Sequence, residues 1–315
     1  MKVYGAEAIR AAIGLDDLIE PVARVFADFS NGLGEAPITV FAPAGDQGDV
    51  HVKSAWMPGR SVFTVKVAAW FAARATGGRS PASGFVAVHD ATTGDLRALL
   101  MDEHHLTDVR TAAAGAVAAR LLARPDAATV AVLGTGVQAR LQVLAVRAVR
   151  PIEHVVVWGR RAEAARALRT ALLAADPTLT VSVAKHPADA VRRADVIVTA
   201  TGSRRPILEG SWLRRGQHIT AVGADDGTKA ELDPACFHRA DVLAVDSREH
   251  TPLHAGDLRA SGRAVDAELG DLLLGCHPGR TSASQITVAK LVGLGVQDLA
   301  AAETALRLLE EGPTL

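Results

Sequence analysis

The sequence predicts an α/β protein in which a doubly wound parallel-sheet domain is joined to an α+β domain with a largely antiparallel sheet. Three observations predict it. From Thr129 onward, short β-branched runs alternate with amphipathic helical segments. Before that point, five strand-like runs follow one another without intervening helices. Between the first strand of the alternating part and its helix lies a glycine turn, Gly134-Thr135-Gly136-Val137-Gln138-Ala139.

In order along the chain, residues 5–33 read as mostly helical. PITVFAP (37–43), GDVHVKSAW (48–56), SVFTVKVAAWF (61–71), SGFVAVHDA (83–91) and LRALLMD (96–102) then read as consecutive strands, hence a mainly antiparallel sheet. Thr107 is placed to cap a helix running to Ala123. VAVL (130–133), HVVVWG (154–159), TVSVA (180–184), DVIVTAT (195–201), HITAVG (218–223) and DVLAVDS (241–247) are buried parallel strands. The helices between them are read at 138–149, 162–174, 188–194 and 232–239. The tail 286–311 begins strand-like and continues as a helix expected to pack back on the first part. Residues 1–123 with 290–315 are read as one domain and 124–289 as the other.

Composition narrows the functional classes. The 315 residues are 49% hydrophobic and 22% charged, as in a soluble globular protein. A net charge of -1 and scattered arginines argue against nucleic acid or an anionic membrane as partner. Two cysteines, Cys236 and Cys276, build no disulfide framework, and the N-terminus has no apolar core, so a reduced, cytoplasmic setting is expected. No HxxxH, Cys/His cluster or GxSxG motif is present, so neither a metal nor a serine nucleophile is predicted.

The glycine turn fits G-x-G-x-x-A after a strand and before a helix, the dinucleotide fingerprint of a Rossmann-type domain. Gly134 permits the tight turn, Gly136 lets the backbone approach a pyrophosphate, and Ala139 lets helix and strand pack closely. The free N–H groups at the helix start then receive the phosphates. The second strand ends Trp158-Gly159-Arg160-Arg161, without the acid that bonds a ribose 2′-hydroxyl. Two guanidiniums suit a 2′-phosphate, so NADP(H) is preferred and NAD(H) remains possible. The alternative is a pair of solvated arginines at a helix start, one of them within reach of Glu163.

On longer motifs the chain resembles the ornithine cyclodeaminase/μ-crystallin family. They are LTDVRTAAAGAVAARLLARPDA (106–127), VAVLGTGVQAR (130–140), VVVWGR (155–160), ADVIVTATGSRRPIL (194–208), HITAVGADDGTKAELD (218–233), VDSREH (245–250) and ITVAKLVGLGVQDLAAA (286–302). The resemblance implies a nucleotide domain inserted into a substrate-binding and dimerisation domain, a homodimer built through the sheet domains, and hydride transfer at the α-carbon of an amino or imino acid. It marks Lys66, within an apolar strand pattern, as binding the substrate carboxylate or carbonyl oxygen, and Arg110, early in the helix after Thr107, as gripping the α-carboxylate. Asp225 handles the proton on nitrogen. The family's Asp-x-Pro-Gly-Lys reads Asp225-Asp226-Gly227-Thr228-Lys229 here, which leaves Asp226 as the alternative; Asp225 keeps the spacing to Lys229, Glu231 and Leu232.

A basic residue that many members carry after the first-strand proline is replaced by Ile38 and Thr39; the family's second basic residue, in the next strand, aligns near His51 or Lys53, and Lys53 is the candidate for the missing cation. The resemblance also implies a cofactor-contact set of Thr111, Gly134, Thr135, Gly136, Val137, Gln138, Arg160, Arg161, Thr199, Ala200, Thr201, Val222, Gly223 and Gly293. The expected activity is reduction of a cyclic ketimine carboxylate such as Δ1-pyrroline-2-carboxylate. Its alternatives are an ornithine cyclodeaminase, an amino-acid dehydrogenase of the alanine dehydrogenase type, and a non-catalytic crystallin-like binder. The lost first-strand cation and the arginine-tipped second strand weigh against the cyclodeaminase. Retention of Lys66, Arg110 and Asp225 weighs against the binder.

Overall fold

The structure is a computed structural model that describes residues 1–76 and 78–311. The chain divides into two compact units, Met1–Thr111 with the segment from Leu294 onward, and Ala112–Gly293.

The first unit is built on a six-stranded sheet. Its strands are β1 (Lys2–Gly5), β2 (Ile38–Phe41), β3 (Gly48–Ala55), β4 (Val62–Phe71), β5 (Ala82–Asp90) and β6 (Leu96–Met101), in the spatial order β1-β6-β5-β4-β3-β2. The neighbours from β2 to β6 pair antiparallel, as their hairpin connections dictate. β1 joins β6 in parallel and precedes the stretch read as mostly helical, which holds α1 (Ala6–Ala12) and α2 (Asp16–Ser30). A short helix, α3 (Ala72–Thr76), follows β4.

α4 (His105–Leu122) starts before the residue expected to cap it. Asp102 takes the capping role instead: its Oδ2 accepts the Leu106 N–H at 2.8 Å and its carbonyl accepts the His105 N–H. Glu103 and His104 adopt positive φ, which folds the chain back so that Asp102 reaches those donors. Thr107 lies inside the helix, where its carbonyl accepts the Thr111 hydroxyl.

The second unit is an eight-stranded parallel sheet with helices on both faces. Its elements are β7 (Thr129–Leu133), α5 (Val137–Val149), β8 (His154–Trp158), α6 (Ala162–Ala175), β9 (Thr180–Val183), α7 (Pro187–Arg193), β10 (Val196–Thr199), β11 (Arg204–Leu208), β12 (His218–Ala221), β13 (Ala230–Leu232), α8 (Pro234–His238), β14 (Val242–Val245), α9 (Thr251–His254), α10 (Gly256–Ser261), β15 (Ala267–Glu268), α11 (Leu269–Leu273) and β16 (Thr287–Lys290). The strand order is β15-β14-β16-β12-β10-β7-β8-β9.

Alternate residues of β7 divide the core. Ala131 and Leu133 pack on one side with Ile197, Ile219, Leu243 and Val288. Val130 and Val132 pack on the other with α5 and α6 residues such as Val143 and Leu172. The helix expected at 232–239 resolves into β13, which pairs with β11 in a separate two-stranded sheet, and α8, capped by Asp233. Pro234 at the first helical turn fixes that boundary, because it lacks the N–H that a preceding turn would need. The strand-like start of the tail is β16, seated between β12 and β14.

The remaining helix, α12 (Gly295–Glu311), belongs to the first unit and packs against α2, β3 and β4. Its first turns are buried all round, from Gly295 to Ala302.

Candidate functional site

In the first unit, period-2 alternation places Val62, Thr64, Lys66 and Ala68 on the buried face of β4. β3 carries Lys53 directly opposite Lys66 in the antiparallel register. Two lysines in that relation repel and are costly to bury. Yet Lys53 is 4% exposed and Lys66 is 2% exposed.

The compensation comes from α12. Asp298, itself buried, meets Lys66 Nζ through both oxygens, Oδ1 at 2.9 Å and Oδ2 at 2.8 Å. Its Oδ1 also accepts from Arg110 Nε at 2.9 Å. The adjacent Gln297 accepts from Arg110 Nη1 at 3.1 Å through Oε1, which also accepts the Leu294 N–H at the helix start. Lys66 and Arg110 therefore share one carboxylate, and the Lys53 charge acts on it as well. Asp298 and Gln297 were not singled out in the sequence. The signal was present in GVQDLAAA, an acid inside an apolar helical run, the same kind of signal that marked Lys66.

The electrostatics follow from this geometry. Burial, reinforced by the Arg110 and Lys53 charges and opposed by Asp298, pushes the Lys66 ammonium down to about 7. Burial works against the Asp298 charge as well, but Arg110, Lys66 and Lys53 together outweigh it and hold the carboxyl below its usual range. Asp102, at the head of α4, is pushed up by burial. Thr111, one residue after Arg110, is half-buried with its hydroxyl bonded to the Thr107 carbonyl.

In the second unit the glycine turn follows β7, which lies between β8 and β10, where the strand order reverses. That is the position at which open α/β sheets bind ligands. Gly134 has φ +140° and packs so closely on Ala200 that a Cβ would collide with the Ala200 carbonyl oxygen. Gly136 is the opposite case: a Cβ there would meet nothing within 4 Å. It is the N-cap of α5 and makes no side-chain cap hydrogen bond to the start of that 13-residue helix. Thr135 and Gln138 are half-buried and Val137 is exposed, while Ala139 is buried against the sheet. These residues fit the diphosphate of a dinucleotide.

Arg160 and Arg161 are exposed at the tip of β8 and start of α6. Three other positions of the expected cofactor set share one partner. The fully buried Glu231 accepts from Thr199 Oγ1, from Thr201 N and Oγ1, and from Gly223 N, at 2.6–2.8 Å. Val222 continues β12 by donating its N–H to the Thr199 carbonyl, and the Gly293 N–H donates to Asp246. Burial raises the Glu231 carboxyl against the pull of Lys290, Thr199 and Thr201. In the sequence Glu231 is only a spacing mark for Asp225.

Asp225 and Asp226 differ in their work. Asp226 Oδ1 accepts the Thr228 N–H, the Thr228 hydroxyl and the Lys229 N–H, which closes the loop on itself. Asp225 makes a 2.7 Å contact to Lys229 Nζ and is one-third exposed. Lys229 also reaches Asp226 Oδ2 at 3.0 Å. Although burial opposes its charge, the two carboxylates together raise the Lys229 ammonium above its usual value.

A family model for the ornithine cyclodeaminase/mu-crystallin family matches residues 2–311. The chain belongs to this family. An uncharacterized cyclodeaminase of Sinorhizobium fredii is 40% identical over 99% of this chain and 96% of its own length. A Δ1-pyrroline-2-carboxylate reductase of Bacillus cereus is 32% identical over 99% and 98%. The solved structure of Thermococcus litoralis Δ1-pyrroline-2-carboxylate reductase, in complex with NADH and L-proline, superposes with a TM-score of 0.93 at 28% identity, covering 100% of both chains. The expected family and the expected pairing of a Rossmann-type parallel sheet with a largely antiparallel one are thus both met.

Proposed function

We propose that this chain is an NAD(P)H-dependent oxidoreductase that reduces a cyclic ketimine carboxylate, of the Δ1-pyrroline-2-carboxylate kind, to the corresponding amino acid. The observation that carries the reading is the buried group of Lys53, Lys66 and Arg110. Even with Asp298 present, burial and the neighbouring cations hold the Lys66 ammonium below its usual value, so a second carboxylate arriving there is favoured. An α-carboxylate has the planar, two-oxygen shape that a guanidinium and an ammonium grip together. The full-length relatedness to pyrroline-carboxylate reductases supports the same reading.

In this reading Arg110 and Lys66 hold the substrate carboxylate, with Lys53 beside them. The nicotinamide, when bound, supplies the hydride. The turn Gly134–Gln138 holds its diphosphate on the α5 N–H groups, and Thr199, Ala200, Thr201, Val222 and Gly223 form the wall that Glu231 braces. Arg160 and Arg161 take a 2′-phosphate, which favours NADPH. Asp225 holds or moves the proton on the imine nitrogen, and Lys229 orients its carboxylate. Thr111 and Gly293 complete the cofactor contacts. The residues 1–123 with 290–315 serve substrate binding and dimerisation, and 124–289 serve the nucleotide. The protein works as a homodimer in a reduced, cytoplasmic setting. Among the described residues no helix is long and apolar enough to cross a membrane.

The dimer reading has its own support. Phe63, Val65, Val67, Ala69 and Phe71 line the other face of β4 and are only half-buried. Such a stripe on an ordered sheet is suited to a second copy.

The test is steady-state oxidation of NADPH and of NADH with Δ1-pyrroline-2-carboxylate, Δ1-piperideine-2-carboxylate, pyruvate with ammonia, and, in the oxidative direction, ornithine. Efficient turnover of a cyclic ketimine is expected. Turnover of ornithine with ammonia release, or of pyruvate with ammonia alone, overturns the reading.

A further inference from the structure

We propose that Asp298 is the positioning residue of the carboxylate grip, fixing the Lys66 ammonium and the Arg110 guanidinium side by side so that together they meet one substrate carboxylate. The inference rests on the reductase reading above.

Asp298 is the counter-charge that Lys66 and Arg110 share. Lys53 and Lys66 stand directly opposite on neighbouring strands, and Arg110 adds a third buried cation. Like charges so placed would drive one another apart or give up a proton. Asp298 Oδ1 accepts from both Lys66 Nζ and Arg110 Nε, its Oδ2 lies in ion contact with Lys66 Nζ, and Gln297 takes Nη1. The guanidinium is thereby tied along its Nε and Nη1 sides, and among the described residues its Nη2 makes no hydrogen bond.

The platform is rigid. α12 starts so close to β3 that a Cβ on Gly295 would collide with the Ser54 carbonyl oxygen. Gln297 closes the helix start by accepting the Leu294 N–H at 2.7 Å. The same tight packing keeps Asp298 from following its cations elsewhere.

Electrostatics gives the idea a readout that a purely structural role would not move. The charged groups facing Lys66 are Asp298 on α12, Arg110 on α4, Lys53 on β3 and Asp102 ahead of α4. Burial and the neighbouring cations leave the Lys66 ammonium near 7, with Asp298 holding it up. An arriving carboxylate favours the protonated form. Affinity for an anionic ligand is therefore full below pH 7 and falls as pH rises through it, by up to about tenfold per unit. Removing the Asp298 charge lowers the Lys66 value further and moves that midpoint to lower pH.

The experiment titrates pyrrole-2-carboxylate, a planar carboxylate that does not accept hydride, into full-length protein saturated with NADPH, from pH 5.5 to 9. Wild type is compared with Asp298→Asn and Gly295→Ala, with Δ1-pyrroline-2-carboxylate kinetics and NADPH affinity measured in parallel. For Asp298→Asn we expect about 10²-fold weaker probe binding and a matching rise in KM, since a misplacement of about 1 Å in a grip costs that much. NADPH affinity should stay within about twofold, and the pH midpoint should fall. Gly295→Ala keeps the carboxylate but lifts α12 off β3, and should show the same KM rise and the same direction of midpoint shift. It carries the test if Asp298→Asn does not fold.

A wild-type affinity that is flat across this pH range overturns the inference. So do variants whose KM and midpoint equal those of wild type, or whose NADPH affinity falls as far as their probe affinity. Wild type that binds the probe as described but reduces no ketimine overturns the reductase reading alone.

Discussion

Two glycines two residues apart in one turn should fail in opposite ways when each is changed to alanine. At Gly134, φ +140° is a conformation that L-residues rarely hold, and the new methyl runs into the Ala200 carbonyl. The strain costs about 1–3 kcal/mol. Relieving the clash opens the turn and endangers the 2.9 Å bond from the Gly134 N–H to the Trp158 carbonyl, worth roughly 1 kcal/mol more. The sum is about 2–4 kcal/mol, or a fall in Tm of roughly 5–15 °C for a unit of this size.

At Gly136 the backbone is extended and the methyl meets nothing. Alanine is a poorer N-cap than glycine by up to about 1 kcal/mol, but it stiffens the unfolded chain by a similar amount. Stability should therefore stay within about 1 kcal/mol of wild type. The methyl does, however, occupy the space into which a diphosphate must come. Cofactor affinity should drop by at least about tenfold with Tm unchanged. Thermal denaturation gives the first quantity, and quenching of Trp158 on titration with NADPH gives the second. An unchanged NADPH Kd for Gly136→Ala would refute the placement of the diphosphate on this turn. An unchanged Tm for Gly134→Ala would refute the steric argument.

Further outcomes are expected. Asp225→Asn should keep NADPH binding and lose about 10²–10⁴-fold in ketimine turnover, as measured by steady-state kinetics. Asp226→Asn should lose little, because an amide oxygen can still accept the three donors from Thr228 and Lys229; the reverse ranking would shift the assignment by one residue. Replacing Arg160 and Arg161 by serine should raise the KM for NADPH well above that for NADH, each lost charged hydrogen bond costing about 1.5–3 kcal/mol. Equal effects on the two cofactors would refute the 2′-phosphate assignment. Val67→Lys, on the half-buried face of β4, should yield monomers in sedimentation velocity, whereas Lys66 on the opposite face stays buried and paired. A Val67→Lys protein that sediments like wild type would remove this face as the interface.

Periodicity made most of the fold legible. The alternation after Thr129 reports buried strands and helices directly, and the strand pattern of β3 to β6 reports a one-sided sheet. β1 left no such trace because an edge strand of four mostly exposed residues has no buried face to alternate. β11, with a proline and two arginines, and the three-residue β13 fall below what any pattern can show.

In the candidate site, Lys66 was readable because a lysine between valines contradicts a buried strand. Asp298 and Glu231 carry the same contradiction, but helices and loops ordinarily have an open side where an acid can sit. Only packing reveals that α12 has none at its start, and that Glu231 is enclosed by the donors of Thr199, Thr201 and Gly223. Asp102 displaced Thr107 as the cap for a related reason: the decisive feature was the positive φ of Glu103 and His104, which residue type alone did not announce.

The seat of β16 has a consequence for how the protein is made. A ribosome releases the chain in order, at about 5–20 residues per second. β12 and β14 emerge before β16 but pair through it and not with each other, so each presents a raw edge until residues 287–290 arrive. The first unit waits longer still, since the counter-charge for Lys66 and Arg110 comes only with α12. Neither unit can finish during most of translation, and nascent chains arrested before Thr287 should be digested throughout by a protease that spares the released protein.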